Sequence, residues 1–379
     1  MRILMTGGGT AGHVNPALAI AATIRKHQPD ADIAFVSSAL PRDKALDLVP
    51  RAGYPLHTVH IEGLRRPLWS PHNLKLPFLM ARSRGEANAL IDSFRPDLIV
   101  GTGGFACWPL CRAGVAKGIP TALHESNALP GKAVRRLAGR VGVVMVNFEE
   151  TAKRLQDETR ISADRLVRVG NPLMPDFSTL SREEARAALG LDEHDLFVLS
   201  FGGSLGAEHL SDAVVRLAAS LVSDPQVTLL HATGKRDYER VRAAWDATPA
   251  AASPRLQLVD YIYDMPLRMA AADLVISRAG AMSVSELALM GKAAVLVPSP
   301  YVAEQHQLKN AMALVRAGAA VCVEEHTLTD GALDSAVRQL LADAPLRESM
   351  SCRIREEFAC DDANERIYKC LMELARGRG

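Results

Sequence analysis

The sequence of 379 residues contains no long run of apolar residues. A helix that crosses a bilayer needs about 20 of them in succession, and no stretch approaches that length. Residues 3–24 carry no charged side chain and in this respect are similar to the apolar region of a signal peptide. However, Gly7-Gly8-Gly9, Gly12-His13 and Asn15-Pro16 interrupt the apolar pattern. We therefore expect neither a membrane span nor a secretion signal.

Paired cysteines and low-complexity segments are also missing. The six cysteines are spread along the chain without metal-ligand spacing, so we interpret them as reduced cytosolic thiols. The apolar share of 48% and the charged share of 23% are those of an ordinary globular protein, which excludes disorder as the main feature. The length of 379 residues favours two domains over one.

The net charge is small because two opposite excesses nearly cancel. Residues 1–170 carry a net charge of +9, whereas residues 171–379 carry −8, giving +1 for the chain. A basic half and an acidic half indicate that the two parts contact different partners.

Short apolar runs alternate with helical patterns along the whole chain, which is typical of parallel α/β sheets. We expect two Rossmann-like, doubly wound parallel-sheet domains, residues 1–170 and 171–379, with the linker within Val169–Phe177. The last helix, Asn364–Arg376, is a candidate to pack back on the first domain. Because such sheets bind ligands beyond the carboxyl ends of their strands, the domains are expected to face a central cleft. The predicted strands are Arg2–Thr6, Asp32–Val36, Leu98–Gly101, Thr121–His124, Val141–Val146, Leu196–Phe201, Val227–His231, Leu256–Val259, Leu274–Ser277, Ala294–Val297 and Ala320–Val323.

Three glycine-rich loops follow predicted strands: Gly7–Gly12, Gly101–Gly104 and Gly202–Gly206. Glycine lets the backbone approach a ligand, and the next helix offers unpaired N–H groups, so such loops favour phosphate, although each could also serve strand–helix packing. Gly7–Gly12 fits the dinucleotide pattern G-x-G-x-x-G and leaves a nicotinamide dehydrogenase open, but the second strand ends Ser37-Ser38 without the usual acid. No Gly-Lys-Ser/Thr follows, which excludes a P-loop.

Seven motifs, in order, resemble the bacterial lipid I N-acetylglucosaminyltransferase (MurG) family, which has the glycosyltransferase-B architecture. The resemblance covers nearly the whole chain. The motifs are Gly8-Gly-Thr-Ala-Gly-His13 with Asn15-Pro16, Gly103-Gly-Phe, His124-Glu-Ser-Asn127, Val169-Gly-Asn-Pro172, Gly202-Gly-Ser-Leu-Gly-Ala207, Ser277–Glu286, and His306-Gln307 with Asn310.

The resemblance implies inverting transfer of N-acetylglucosamine from UDP-GlcNAc to the C4 hydroxyl of the muramoyl sugar of lipid I, undecaprenyl-pyrophosphoryl-MurNAc-peptide. The product is lipid II for peptidoglycan synthesis. The implied partners are UDP-GlcNAc, lipid I and an anionic membrane surface on the cytoplasmic side, with no cofactor and no nucleic acid; the oligomeric state stays open. Alternatives are another glycolipid glycosyltransferase, a UDP-sugar epimerase of the same fold, or a UDP-sugar-binding protein without catalysis.

The resemblance also implies roles for single residues. Ser204 matches the donor diphosphate loop, Ile262 the position whose backbone reads uracil, and Glu286 the residue that holds the ribose. Asn127 and Gln307 match donor-sugar positions. The other implied contacts are Thr10, Ala11 and Gly12 in the first loop, and Ala281, Met282, Ser283, Val284 and Ser285 around phosphate and ribose. From the residues alone, Ser283 and Glu286 have the spacing of a helix capping box, and this interpretation stays open beside the ligand role.

Three positions depart from the family pattern. Met174 stands where the family usually has arginine, Leu205 where it has glutamine, and His306 where some members have glutamine. The missing arginine leaves the donor diphosphate to backbone N–H groups or to Arg278.

Inverting transfer needs a base for the acceptor proton, and His13 is the first candidate. It begins a helix, whose positive end favours a neutral, proton-accepting ring. Its alternative role is to donate to a phosphate or to cap a turn. Glu125 is the second candidate base, and its alternative is an ion pair with Lys132 or with an arginine of Arg135-Arg136.

Residues 64–84 mix apolar side chains with five cations and no acid, which suits an anionic membrane surface. The candidate contacts are Arg65, Arg66, Trp69, Phe78 and Arg82, with Gly103 and Gly104 towards the acceptor. A partly buried helix with a solvated face is the structural alternative.

No metal is expected. Asp30-Ala-Asp32 looks like a metal-binding acidic pair, but it precedes a strand and so belongs at the amino end of the sheet. Helix dipoles and loop amides can stabilise a leaving diphosphate instead.

Overall fold

The protein is described by a computed structural model, which divides it into two compact units. Unit 1 comprises Met1–Met174 and Asp362–Gly379, and unit 2 comprises Pro175–Asp361. The division therefore lies inside the expected linker, and the C-terminal segment belongs to unit 1. The residues that the structure describes are 1–63, 69, 71–174, 177, 179–203, 206–302 and 305–377.

Unit 1 is built on a seven-stranded sheet in the order β3-β2-β1-β4-β5-β6-β7, in which every neighbouring pair is parallel. The strands are β1 Arg2–Thr6, β2 Asp32–Ser38, β3 Leu56–Val59, β4 Leu98–Gly101, β5 Thr121–Glu125, β6 Val143–Val146 and β7 Leu166–Arg168. The helices are α1 Ala11–His27, α2 Ala45–Arg51, α3 Leu76–Phe94, α4 Cys107–Ala116, α5 Lys132–Leu137, α6 Glu149–Glu158 and α15 Ala363–Arg376.

Both faces of this sheet are buried. Along β1, Ile3 and Met5 join one apolar cluster, whereas Leu4 joins a second. Because alternate side chains of a strand point to opposite faces, helices must cover both sides, which is why the apolar run is continuous.

The C-terminal helix α15 completes unit 1 by packing on α1. Its residues Ile367 and Leu371 are buried in the same cluster as Ile3 and Met5. At the surface, Nε2 of His27 lies 3.0 Å from Oε1 of Glu365.

Unit 2 is built on a six-stranded parallel sheet in the order β10-β9-β8-β11-β12-β13. Its strands are β8 Leu196–Phe201, β9 Val227–Ala232, β10 Leu256–Val259, β11 Leu274–Ser277, β12 Ala294–Leu296 and β13 Val321–Cys322. Its helices are α7 Arg182–Leu189, α8 Glu208–Leu221, α9 Tyr238–Asp246, α10 Met265–Ala271, α11 Ala281–Leu289, α12 His306–Arg316, α13 Ala332–Ala342 and α14 Ala344–Phe358.

These two sheets confirm the predicted pair of doubly wound parallel α/β domains, and all the predicted strands form. Two further strands, β3 and β7, are not predicted from the sequence, and they are the two edges of the first sheet. Within the described part of the chain, no helix combines the length and the hydropathy that a bilayer span requires.

Each unit contains a fully buried histidine at the carboxyl end of a strand. His124 of β5 makes a 2.9 Å hydrogen bond with the carbonyl oxygen of Gly170. His231 of β9 lies between the hydroxyls of Ser200 and Ser211, at 3.0 and 3.1 Å. Burial lowers the pKa of both rings to about 4, so both are neutral at pH 7.

Acidification is expected to destabilise the chain through these histidines. Unfolded histidine titrates near 6.5, so between about pH 6.5 and 4 the unfolded chain binds protons that the folded chain excludes. The free energy of unfolding should therefore fall by about 3 kcal/mol per histidine across this window. Urea unfolding at several pH values measures the free energy of unfolding of His231→Gln and of the parent chain. As the pH falls, the variant should lose less stability than the parent chain. A variant with the same acid slope as the parent would contradict the assignment.

Candidate active site

His13 lies in the first turn of α1, immediately after the Gly7–Gly12 loop. Its ring nitrogen Nδ1 is 3.1 Å from the carbonyl oxygen of Thr102, and the Thr102 hydroxyl donates to the carbonyl of His13 at 2.7 Å. A carbonyl oxygen only accepts, so Nδ1 carries the hydrogen. The neutral ring then has its lone pair on Nε2, which is the arrangement that a general base requires.

Gly103 and Gly104 leave room for this ring. Their φ angles of +93° and +74° favour glycine. A Cβ on Gly103 would lie 3.0 Å from Nδ1 of His13, and one on Gly104 would lie 2.5 Å from the carbonyl oxygen of Gly8. In the structure these glycines therefore bring the second loop against the first.

Glu125 is buried at the end of β5 and organises the loop that follows. One carboxylate oxygen accepts from the backbone N–H and the side-chain amide of Asn127, each at 3.0 Å, and the other accepts from the N–H of Gly131 at 2.8 Å. Arg135, one of its suggested ion-pair partners, instead bonds Glu158 at 2.9 Å. The Asn127 amide is thereby oriented with its nitrogen towards Glu125.

The third glycine loop follows β8 in unit 2 and precedes α8. Gly203 and Gly206 have φ angles of +86° and +77°, and the N–H of Gly206 bonds the carbonyl of Gly203 at 3.0 Å. A Cβ on Gly202 would lie 2.6 Å from that of Ala207, so the turn into the helix is tight. Ser204 and Leu205 lie outside the described residues.

The loop after β10 carries Ile262, which is buried, between Tyr261 and Tyr263, which are exposed. The two tyrosine rings are 4.9 Å apart, and Nζ of Lys235 lies 5.9 and 5.6 Å from their centroids. An aromatic surface with a cation thus adjoins the position expected to read uracil.

The segment from Ala281 to Glu286 forms the first turns of α11, whose N-cap is Gly280. The capping-box interpretation was therefore wrong, because the helix begins two residues before Ser283. Val284 is buried, whereas Met282, Ser283, Ser285 and Glu286 are partly exposed. Desolvation raises the pKa of the Glu286 carboxyl to about 7, so the surroundings oppose its charged form.

Gln307 and Asn310 fix the start of α12. The side-chain oxygen of Gln307 accepts from the N–H of Ser299 at 2.8 Å, and the amide of Asn310 donates to the carbonyl of Ala279 at 3.0 Å. This bond uses the side-chain oxygen of Gln307 and leaves its donors on the side-chain nitrogen.

Arg278 was expected as a substitute cation for the donor diphosphate, but the structure ties it elsewhere. Its guanidinium pairs with Glu325 and donates to the carbonyl of Val297 at 3.0 Å. Both partners of the ion pair are largely buried. Arg278 thus links the loops that follow β11 and β12.

The structure describes part of residues 64–84, the segment expected to face the membrane. Trp69 is 85% exposed and Phe78 70%, whereas Leu76 is buried. Arg82 donates to Glu86 at 2.9 Å, so its charge is offset within α3. Arg65 and Arg66 lie outside the described residues.

Asp43, which is not a predicted site residue, lies beneath the first glycine loop, between β2 and α2. Its carboxylate is 3% exposed and accepts from the N–H of Gly9 at 2.8 Å. No motif marks it, since it stands five residues beyond the strand end at which an acid was sought. Among the described residues, no group of three or more His, Cys, Asp or Glu side chains could hold a metal ion.

Two family models match most of the chain. Residues 3–146 match the Glycosyltransferase family 28 N-terminal domain, and residues 197–366 match the Glycosyltransferase family 28 C-terminal domain. A relative from Acetivibrio thermocellus is 36% identical over 378 residues, covering 100% of this chain and 99% of its own. That protein is named a UDP-N-acetylglucosamine--N-acetylmuramyl-(pentapeptide) pyrophosphoryl-undecaprenol N-acetylglucosamine transferase.

Two solved structures show the same fold. Acinetobacter baumannii MurG aligns with a TM-score of 0.73 and 25% identity, covering 98% of this chain and 99% of its own. UDP-GlcNAc 2-epimerase from Neisseria meningitidis, bound to UDP-GlcNAc, aligns with a TM-score of 0.68 and 16% identity, covering 98% and 100%. Because a MurG and an epimerase share this fold, the fold by itself does not define an activity.

Proposed function

The chain belongs to glycosyltransferase family 28, and from that membership we propose that it transfers N-acetylglucosamine from UDP-GlcNAc to the C4 hydroxyl of lipid I, giving lipid II. It is a UDP-GlcNAc-dependent glycosyltransferase of peptidoglycan synthesis. Full-length relatives at 33–38% identity support this reaction over the epimerase. The structural observation that carries the chemical step is the 3.1 Å hydrogen bond from Nδ1 of His13 to the Thr102 carbonyl.

The chemical step requires removal of a proton from the acceptor hydroxyl as it attacks the anomeric carbon. We assign this proton to Nε2 of His13, because the Thr102 carbonyl keeps the hydrogen on Nδ1. Glu125 is a weaker candidate because its two oxygens already accept three N–H groups of its own loop. We assign it to positioning Asn127.

The leaving UDP develops negative charge that the protein must stabilise. The N-terminus of α8, which follows the Gly202–Gly206 loop, offers N–H groups for this purpose, and Ser204 belongs to that loop in the sequence. We propose that this arrangement works without a metal or other cofactor. Transfer should therefore continue at the same rate in excess EDTA, whereas loss of activity that Mg²⁺ or Mn²⁺ restores would contradict it.

We propose donor contacts in each unit separately. In unit 2 the backbone of Ile262 reads uracil, the Glu286 carboxylate accepts the ribose hydroxyls, and Gln307 binds the sugar. The remaining phosphate and ribose contacts come from Ala281, Met282, Ser283, Val284 and Ser285. In unit 1 Asn127 and the loop residues Thr10, Ala11 and Gly12 are the proposed sugar contacts, and Gly103 and Gly104 lie on the acceptor side.

A lipid-linked acceptor requires the enzyme to work next to a membrane. We propose peripheral association with the anionic cytoplasmic leaflet through Trp69 and Phe78, with Arg65, Arg66 and Arg82 nearby in sequence. The exposure of both aromatic side chains supports this, since large apolar groups at the surface mark interaction sites. The ion pair of Arg82 with Glu86 reduces its own contribution.

Replacing Trp69 and Phe78 together by serine is expected to lower partitioning onto anionic vesicles at least tenfold. Each large apolar side chain contributes about 1.5–3 kcal/mol on burial, and about 1.4 kcal/mol corresponds to tenfold. Sedimentation with vesicles measures the change. Tyr301→Ser is the control, because it removes an exposed aromatic side chain from unit 2. Equal partitioning of the double variant and the parent chain would refute the proposed surface.

UDP release that depends on the acceptor tests the proposed function. With UDP-GlcNAc and a soluble lipid I analogue, we expect UDP to form only when both are present. UDP release without acceptor indicates hydrolysis, isomerised donor indicates an epimerase, and donor binding without turnover indicates a binding protein. Each of these three results would overturn the proposal.

A further inference from the structure

The proposed function assigns no role to the buried carboxylate of Asp43. We infer that Asp43 is a positioning residue, which fixes the Gly7–Gly12 loop and through it the ring of His13. This inference rests on the assignment of His13 as the base.

The carboxylate satisfies donors from three separate segments. Oδ1 accepts from the N–H of Gly9 at 2.8 Å and from the N–H of Ala45 at 3.0 Å. Oδ2 accepts from the hydroxyl of Ser37 at 2.8 Å and from the N–H of Ser38 at 3.2 Å. Asp43 therefore links the glycine loop, the end of β2 and the start of α2.

Asp43 differs from an ordinary surface acid in the groups that offset its buried charge. Among the described residues no Lys, Arg or His side chain forms an ion pair with it, so neutral N–H and O–H donors alone offset its desolvation. A buried carboxylate held in this way needs all of its hydrogen bonds. It also takes the N–H of Gly9, which a bound phosphate would otherwise use. In this structure the first loop is thus held by an acid of its own chain.

The loop transmits this constraint to His13 over a short path. Gly9 precedes Thr10, whose carbonyl accepts the N–H of His13 at 3.1 Å and so sets the first turn of α1. A Cβ on Gly8 would lie 1.8 Å from the Ser37 hydroxyl, so the loop packs directly on the Asp43 and Ser37 pair. Displacement of Gly9 would therefore move the start of the helix that carries the base.

Asp43→Asn tests this with little change in volume. An amide has one oxygen, so whichever pair of donors it keeps, its NH₂ group faces the other pair, either Gly9 and Ala45 or Ser37 and Ser38. We expect kcat to fall at least tenfold while the Kd for UDP, whose contacts are assigned to unit 2, stays within twofold. We also expect faster hydrogen exchange at the Gly9 amide.

Asp97→Asn is the matched control in the same unit. Asp97 also accepts a backbone N–H, that of Arg2 at 2.8 Å, but at the amino end of β1. The kcat of the Asp97→Asn variant should stay within twofold of the parent value. A kcat loss for Asp43→Asn no larger than that of the control, or an equal loss of UDP affinity, would overturn the inference.

A second variant covers the case in which Asp43→Asn does not fold. Ser37→Ala removes one donor and retains the acid, so we expect a smaller kcat loss and a smaller acceleration of exchange at Gly9 than in Asp43→Asn. If hydrogen exchange at the Gly9 amide were unchanged, Asp43 would not fix the Gly7–Gly12 loop. This test holds even if the parent chain shows no transfer. Failure of the inference and failure of the proposed function therefore give different results.

Discussion

Replacing His13 by alanine is expected to lower kcat by about 10²–10⁴-fold, the range for loss of a general base. The KM for UDP-GlcNAc should stay within twofold, because the uridine contacts are assigned to unit 2. The physical reason is that Nε2 of His13 holds the lone pair once Nδ1 has donated to the Thr102 carbonyl. Steady-state kinetics with a soluble lipid I analogue measure both constants.

His57→Ala provides the control for this substitution. His57 is an exposed histidine of β3 in the same unit, so its loss should leave both constants within twofold. If His13→Ala instead raised the donor KM strongly with unchanged kcat, His13 would be a donor contact. The assignment of the base would then be wrong.

Replacing Glu286 by glutamine is expected to raise the donor KM about 10- to 100-fold. A hydrogen bond to a charged group contributes about 1.5–3 kcal/mol, and in the proposed function the ribose hydroxyls donate to the Glu286 carboxylate. Because the pKa of Glu286 is raised to about 7, the charged acceptor forms only as pH rises through 7. The parent chain should therefore bind UDP more tightly at pH 8 than at pH 6, and the variant should lose this dependence.

Calorimetric titration of UDP at pH 6, 7 and 8 measures that effect. Glu348→Gln, in an exposed position on α14, is the control and should keep the pH dependence of the parent chain. A parent chain with flat affinity across this range would show that Glu286 does not accept from the ribose. The same follows if the glutamine variant binds UDP as tightly as the parent chain at pH 8.

In the first sheet the sequence predicts the interior strands but not the two edge strands. Strands such as Leu98–Gly101 and Leu274–Ser277 are buried on both faces and therefore show as uninterrupted apolar runs. The edge strands Leu56–Val59 and Leu166–Arg168 have only one neighbour and contain exposed positions, so their apolar signal is broken. These two strands depend on pairing with the sheet, which their local pattern does not reveal.

The candidate site shows the same division between local and tertiary information. The glycine loops and His13 are local, because each follows a strand and begins a helix. The four hydrogen bonds of Asp43 join segments that only the fold brings together. Arg278 illustrates the converse, since its chemistry suits a phosphate, yet the fold supplies Glu325 as its partner. Side-chain partners from other loops were therefore what the sequence could not predict.

The covalent structure of the product tests the central claim most directly. Labelled UDP-GlcNAc and a lipid I analogue should yield a lipid-linked disaccharide, in which nuclear magnetic resonance shows a β-configured N-acetylglucosamine on the C4 oxygen of the muramoyl sugar. Retention of the α configuration, attachment to another hydroxyl, or recovery of only free or epimerised donor sugar would contradict it.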